Sequence, residues 1–323
     1  MMLADVPLLA GLAPAALGDL ELVSTDFAIG AGDTLFRQGD EASALYIVTE
    51  GRIAIASRTP GDEEVQVIEA GPGAMVGELG LLDGGRRSAT ARAVIDSRGI
   101  AIGLSRFRGL AAIGRPAAFA LSDRIRIEVA GRFRATIAAI AAQSVVEDAL
   151  IRPPATGRMT MPQPAEGVAA MLRGLVRFAA LRGDDADRLV AMGGIVDAPR
   201  GTVIGRIGET ADAVYLVMRG AARTGLPRHG GLEPLAVHGP GEFVGLAAMI
   251  DRQPHPLSCE IAEAATLLRL GRGALETLRA ETSELACQLF DIAGQQLVRD
   301  LRRANRHRGR AEALARFRAG GQH

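Results

Sequence analysis

The stretch VGELGLLDGGRRSATARA, Val76 to Ala93, holds the residue types best suited to chemistry. Gly77 precedes a carboxylate, Glu78, and the apolar run Leu79 to Leu82 is long enough for one helical turn. Asp83, Gly84 and Gly85 break that turn; two arginines and then Ser88, Ala89 and Thr90 lead into a strand. A helical turn starting near Glu78 directs free backbone N–H groups outward, which suits an anion. Gly77 lets the backbone approach a ligand closely. An arginine grips a phosphate through two parallel hydrogen bonds, and by chemistry alone either Arg86 or Arg87 can do so. Glu78 is unsuited to phosphate but suited to accepting a hydrogen bond from a sugar hydroxyl. An anion site beside a hydroxyl acceptor fits a phosphorylated sugar, and so a nucleotide.

These residues need a scaffold, and the chain writes that scaffold twice. FRQGDEASALYIVTEGRIA (Phe36 to Ala54) resembles IGRIGETADAVYLVMRGAA (Ile204 to Ala222), and within them Gly39 and Gly208, Tyr46 and Tyr215, and Gly51 and Gly220 are each 169 residues apart. GPGAMVGELGLLD (Gly71 to Asp83) aligns with GPGEFVGLAAMID (Gly239 to Asp251) at 168. Self-similarity at this period means two like domains. The single-residue slip falls in a loop, where length change is tolerated. Each repeat opens with a short helical lead, continues as short β-rich runs between glycine turns, and ends in helix. In the first, the strand runs are Ala44 to Val48, Ile53 to Ser57, Val65 to Ile68 and Ile100 to Leu104. Short strands at close spacing predict a mixed β plus α fold: two antiparallel β-barrel (jelly-roll) domains with flanking helices.

Apolar residues at helical spacing predict a helix from Ala117 to Val146, with Arg124, Arg126, Arg132 and Arg134 on its solvated face, and a single helix from Leu275 to Arg303. The Pro- and Gly-rich segment 152–167 lacks periodicity and reads as a linker. The expected domains are therefore 1–150 and 168–323, joined by 151–167.

The segment 76–93 resembles the phosphate-binding cassette of the cyclic-nucleotide-binding domain family, whose pattern runs roughly F-G-E-L-A-L, a gap, then P-R-(A/S/T)-A-T. GDTLFRQGD and LYIVTEGRIAI upstream resemble that family's first strands. The resemblance implies that Glu78 holds the ribose 2′-hydroxyl and Arg87 the cyclic phosphate, with Gly77, Leu79, Ser88, Ala89 and Thr90 in further contact. Alignment to the R-S-A-T ending selects Arg87 over Arg86, which stands where proline is common and is expected to face solvent. Ser88 occupies a position where a hydroxyl accompanies cGMP preference in some kinases, yet serine also occurs there in cAMP-binding bacterial members; the resemblance favours cAMP over cGMP. The helix after the barrel is a candidate cap for the base, with Arg124 and Arg132 as its candidate contacts. In the second repeat Leu246 replaces Glu78 and His255 replaces Arg87, between Pro254 and Pro256. An apolar side chain cannot accept the hydroxyl, and a neutral imidazole lacks the fixed charge and the fork. The second copy is read as degenerate.

Other classes are disfavoured. Net charge is zero and all 37 basic residues are arginine, so no global attraction to nucleic acid or anionic membrane follows. The basic run RRANRHRGR (Arg302 to Arg310) is read as a soluble helix end, with nucleic-acid binding a third reading. No helix-turn-helix follows either barrel, so DNA is not the expected partner. No GxSxG, P-loop, kinase or HExxH motif is present, so no enzyme is expected. Cys259 and Cys287 form no CxxC pair, which argues against zinc and a disulfide framework and for a reduced, cytoplasmic setting. The N-terminus lacks a signal-peptide pattern, and no run approaches the ~20 apolar residues of a membrane span. The reading is a receptor that signals to a separate effector protein, with homodimerisation through its helices a further expectation. The alternative is an interaction protein that needs no ligand.

Overall fold

Each repeat folds as a six-stranded antiparallel jelly roll between helices, and the two sheets share one strand order. The computed structural model describes residues 3–58, 64–142, 159–160, 167–228 and 231–320. Two compact units divide it, Met1–Arg126 and Ile127–His323.

In the first unit a short helix, α1 (Pro14–Leu22), begins on proline, whose fixed φ suits a first helical turn. The strands are β1 (Ser24–Ile29), β2 (Thr34–Phe36), β3 (Ala44–Arg58), β4 (Glu64–Ala70) and β5 (Met75–Val76). A single turn, α2 (Leu79–Asp83), precedes β6 (Thr90–Gly103). Then follow α3 (Leu104–Ala112) and α4 (Pro116–Ala142). The sheet runs β1-β6-β3-β4, with β2 on β6 and β5 on β3. Strand β3 fuses the two expected runs 44–48 and 53–57, because a bulged stretch from Val48 to Ile53 keeps the chain paired with β6. Gly51 sits in that bulge at φ +91°, where a Cβ would stand 2.2 Å from Ser97 Oγ. The core beneath is built from small and branched residues, among them Val48, Ile53, Val76, Ala91 and Ala93. Leu104, expected to end a strand, instead starts α3; it is buried there, so its apolar character did not distinguish the two.

The second unit repeats the pattern. Helices α5 (Val168–Gly174) and α6 (Asp185–Met192) lead into β7 (Gly194–Ala198), β8 (Val203–Gly205), β9 (Ala213–Arg228), β10 (Gly231–His238) and β11 (Phe243–Val244). A turn, α7 (Leu246–Asp251), precedes β12 (Ser258–Gly271). The order β10-β9-β12-β7, with β11 on β9 and β8 on β12, reproduces the first sheet strand for strand.

Two helical expectations change. The region from Leu275 is not one helix: α8 (Arg272–Glu281) stops at Thr282, in the left-handed region at φ 48°, and α9 (Glu284–Gly320) starts anew. Helix α9 runs on through the basic segment 302–310 as regular helix. Among the arginines assigned to a solvated face of α4, Arg126 is 0% exposed. Its guanidinium lies 5.3 Å from the Phe119 ring centroid and 3.5 Å from Asp123, so its charge is compensated on its own helix. The expected end of that helix at Val146 and most of the expected linker lie outside the described residues. So does the expected boundary at residue 150; the division between compact units falls within α4.

Candidate functional site

Two turns, far apart in sequence, hold the cassette. Arg87 N–H donates to Asp40 C=O at 2.8 Å, and Arg87 C=O accepts from Gly39 N–H at 2.9 Å. Arg86 takes an isolated bridge to Glu41 and donates from Nη1 to Gly39 C=O at 2.8 Å. This pins the two arginines in opposite senses. Arg86 is exposed, as expected, whereas Arg87 is 6% exposed. The structure thus separates two residues that chemistry alone left equivalent.

Arg87 is held from three sides. Its Nη1 donates to Gly77 C=O at 3.1 Å and its Nη2 to Ala44 C=O at 2.7 Å. Its guanidinium carbon lies 4.0 Å above the centroid of the Phe36 ring and 5.7 Å from that of Tyr46. The two rings are themselves stacked at 6.0 Å, and Phe27 meets Tyr46 edge-on at 5.2 Å. Burial pulls the Arg87 pKa below its usual value, partly offset by Tyr46, Glu78 and Asp40. At neutral pH an arginine stays charged regardless. Its Nε–H is buried with no hydrogen-bond partner. Unpaired buried donors are uncommon, and each calls for an explanation.

Glu78 is 3% exposed and occupies the position just before α2, without a side-chain hydrogen bond that caps the helix. Gly77 precedes it at φ +86°, and a Cβ there would stand 2.1 Å from Arg87 Nη1. Only glycine fits both the backbone and the space. Ala89 is buried, Leu79 and Thr90 are half-buried and Ser88 is exposed. Thr90 Oγ1 accepts from Gln38 N–H at 3.1 Å, which ties the end of the cassette to the turn that carries Gly39. Gly77, Glu78 and Arg87 are therefore brought together around one point. Because α2 spans only five residues, its dipole is small and Arg87 is the principal cationic group there. Of the two arginines assigned to a cap, Arg124 Nη1 donates to Leu8 C=O at 2.8 Å. Arg132 pairs with Glu128 one turn back. Sequence reasoning missed Phe36 and Tyr46. They lie 51 and 41 residues before Arg87, and no local pattern links an aromatic residue to a distant cation.

The second unit reproduces the backbone without the side chains. His255 N–H donates to Glu209 C=O at 2.8 Å and His255 C=O accepts from Gly208 N–H at 2.9 Å, as Arg87 does with Asp40 and Gly39. Gly245 repeats Gly77 at φ +84°. His255 thus stands at the position of Arg87, as the ungapped alignment expects. Its ring is 6% exposed, and burial pushes its pKa below the usual histidine value. Leu246, at the position of Glu78, is 8% exposed. Among the described residues no group of histidine, cysteine and carboxylate side chains could hold a metal ion, and no helix is long and apolar enough to cross a membrane.

Comparison with known proteins agrees with this architecture. The family model for the cyclic nucleotide-binding domain matches residues 27–113 and again residues 195–282, more than half of the chain. The chain belongs to the cyclic nucleotide-binding domain family, with that domain present at two positions. A lysophospholipase of Aspergillus fumigatus is 37% identical over 95 residues, 28% of this chain and 6% of that protein. The cyclic AMP receptor protein of Thermus thermophilus is 39% identical over 97 residues, 30% of this chain and 44% of that protein. The chain thus spans less than half the length of either relative. Among solved structures, the regulatory domain of a Toxoplasma gondii PKA with cAMP is 20% identical, with a TM-score of 0.32, covering 87% of this chain and 90% of that one.

Proposed function

We propose that this chain is a cyclic-nucleotide receptor that binds one ligand, cAMP in preference to cGMP, in its first unit and signals to a separate effector protein. The observation that carries this reading is the buried Arg87, aromatic-backed, with an unpartnered Nε–H beside the buried carboxylate of Glu78. In the proposed complex Arg87 holds the cyclic phosphate and Glu78 accepts from the ribose 2′-hydroxyl. The backbone of Gly77, Leu79, Ser88 and Ala89 lines the site, with Thr90 at its end. The 39% identity to a protein named for cyclic AMP supports the choice of base. The pairing of Leu246 with a buried, neutral His255 supports a nucleotide-silent second unit. The chain acts without catalysis of its own, in the cytoplasm, and needs no metal.

Binding changes an effector only if the ligand prefers one conformation over another. Helix α4 is the proposed element of change, with Arg124 and Arg132 on its candidate base-capping face. It starts in the first unit, where Leu121 and Ile125 are buried, and its later residues belong to the second. Calorimetric titration with cAMP and cGMP tests the reading. One cAMP per chain is expected, bound more tightly than cGMP; two sites, or none, would overturn it. Hydrogen exchange in α4 is expected to slow when cAMP is added, and unchanged exchange there would remove the proposed coupling.

A further inference from the structure

The second half of α4 belongs to the second unit, which begins at Ile127. It packs where the degenerate cassette stands. Phe133 and Ile137, both buried, share one recess with Gly245, Leu246, His255 and Leu257. Those four residues align with Gly77, Glu78, Arg87 and Ala89 of the first unit. The space left among them is about 50 Å³, far short of the ~300–1,000 Å³ of small-molecule sites. Two side chains of α4 thus stand against the place that the proposed nucleotide takes in the first unit.

A polar latch fixes the helix there. Arg134 Nε and Nη2 each donate to one carboxylate oxygen of Asp251 at 3.0 Å, and Nη1 donates to Pro254 C=O at 2.6 Å. The three bonds span the turn from the end of α7 to the residue before His255. Two parallel bonds between a guanidinium and a carboxylate are the strong form of such a pair. The Asp251 side chain is only 7% exposed, so losing Arg134 would leave a buried charge uncompensated. Thr136 Oγ1 adds a bond to Asn305 Oδ1 of α9 at 3.3 Å.

The same stretch of helix carries a candidate base contact. Arg132 lies between the seated residues Phe133 and Glu128, directly before Phe133 and Arg134, and its guanidinium is engaged with Glu128. Arg124, the other candidate, is engaged with Leu8 C=O. Capping a base requires both to change partners, so seating and capping compete for one helix. We infer that the degenerate cassette is an internal docking seat for residues 127–142 of α4, latched by Arg134 on Asp251, and that the seated chain is the low-affinity state towards nucleotide. The affinity assignment rests on the proposed cAMP site of the first unit; the seat does not. A ligand that prefers the released helix must work against the latch, so the latch lowers its affinity.

Hydrogen exchange of the ligand-free full chain tests the seat without any nucleotide. Arg134→Gln is expected to speed exchange in residues 127–142 by about tenfold or more while β9 and β12 stay protected. Asp251→Asn, which keeps the oxygen that accepts from Gln253 N–H at 3.0 Å, is expected to do the same. Calorimetry with cAMP tests the coupling. Each variant is expected to bind cAMP about fivefold or more tightly than the wild type. The double variant is expected to match either single one, because both remove the same latch. Far-UV circular dichroism and melting confirm that each variant folds. Unchanged exchange across 127–142 in both folded variants would overturn the seat. Equal or weaker cAMP binding in the variants, or additive gains in the double variant, would overturn the coupling. Absence of cAMP binding in wild type and variants alike would refute the nucleotide reading and the affinity assignment with it, while exchange still decides the seat.

Discussion

Arg87 illustrates how a buried cation is held and oriented inside a protein. Carbonyls of Gly77 and Ala44 take its two outer nitrogens, and the Phe36 face backs its plane. The charge is thereby oriented before any ligand arrives, which lowers the ordering cost of binding. Replacing Phe36 with Leu keeps apolar bulk and removes the ring's cation–π attraction. It is expected to cost about 0.5–2 kcal/mol in thermal or denaturant unfolding; an unchanged midpoint would show that the ring contributes bulk alone. Gly77→Ala is expected to abolish cAMP binding in calorimetry while leaving the second unit folded, because its Cβ would collide with Arg87.

His255 makes the opposite case at the matching position. The unfolded chain protonates such a ring near the ordinary value of about 6.5, whereas burial holds the folded ring neutral to lower pH. Below that ordinary value the unfolded state binds more protons, so stability falls as pH drops. Denaturant unfolding from about pH 7 to pH 5 is expected to show this loss, and His255→Gln is expected to lessen it. An equal or steeper loss in the variant would contradict the assignment. At this scale the sequence was most informative where the chemistry is local. Gly77, Glu78 and Arg87 lie within one short segment, and an ungapped comparison placed His255 correctly. It was silent on Phe36 and Tyr46, which folding alone brings to Arg87, and it misjudged Arg126, because helical periodicity cannot show that a charge is compensated by neighbours on its own helix.

At the scale of elements, the bulge glycines and the helix breaks shape each unit. Gly220 repeats Gly51 in β9, at φ +79°, where a Cβ would stand 2.3 Å from Ala264 C=O. Gly220→Ala is expected to destabilise the second unit by about 2 kcal/mol or more, from a left-handed backbone plus a clash with main chain that cannot move aside. Retention of the wild-type unfolding midpoint would contradict this. Thr282 presents the converse, a β-branched residue in the left-handed region between α8 and α9. Thr282→Gly is expected to raise stability by about 1 kcal/mol by relieving that strain, and a lowered midpoint would show that the hydroxyl or methyl compensates. The break was illegible in the sequence because neither glycine nor proline marks it. Parts of β3, β4 and β6, by contrast, were visible as β-rich runs between glycines, whereas β1, β5, the first part of β6 and the fusion of β3 across the Gly51 bulge were not.

At the scale of the molecule, two copies of one backbone carry two different linings. The repeat was readable from spacing alone, because glycines needed for positive φ recur at a fixed offset. In the proposed function only the first lining recognises a nucleotide. The proposed role of Arg87 as anchor of a cyclic phosphate can be checked by titrating wild type and Arg87→Ala with cAMP in a calorimeter. One site is expected in the wild type, weakened in the variant by about 2–4 kcal/mol, roughly 30- to 1,000-fold, as a buried charge-assisted pair is lost. Undiminished affinity in a folded Arg87→Ala protein would contradict it.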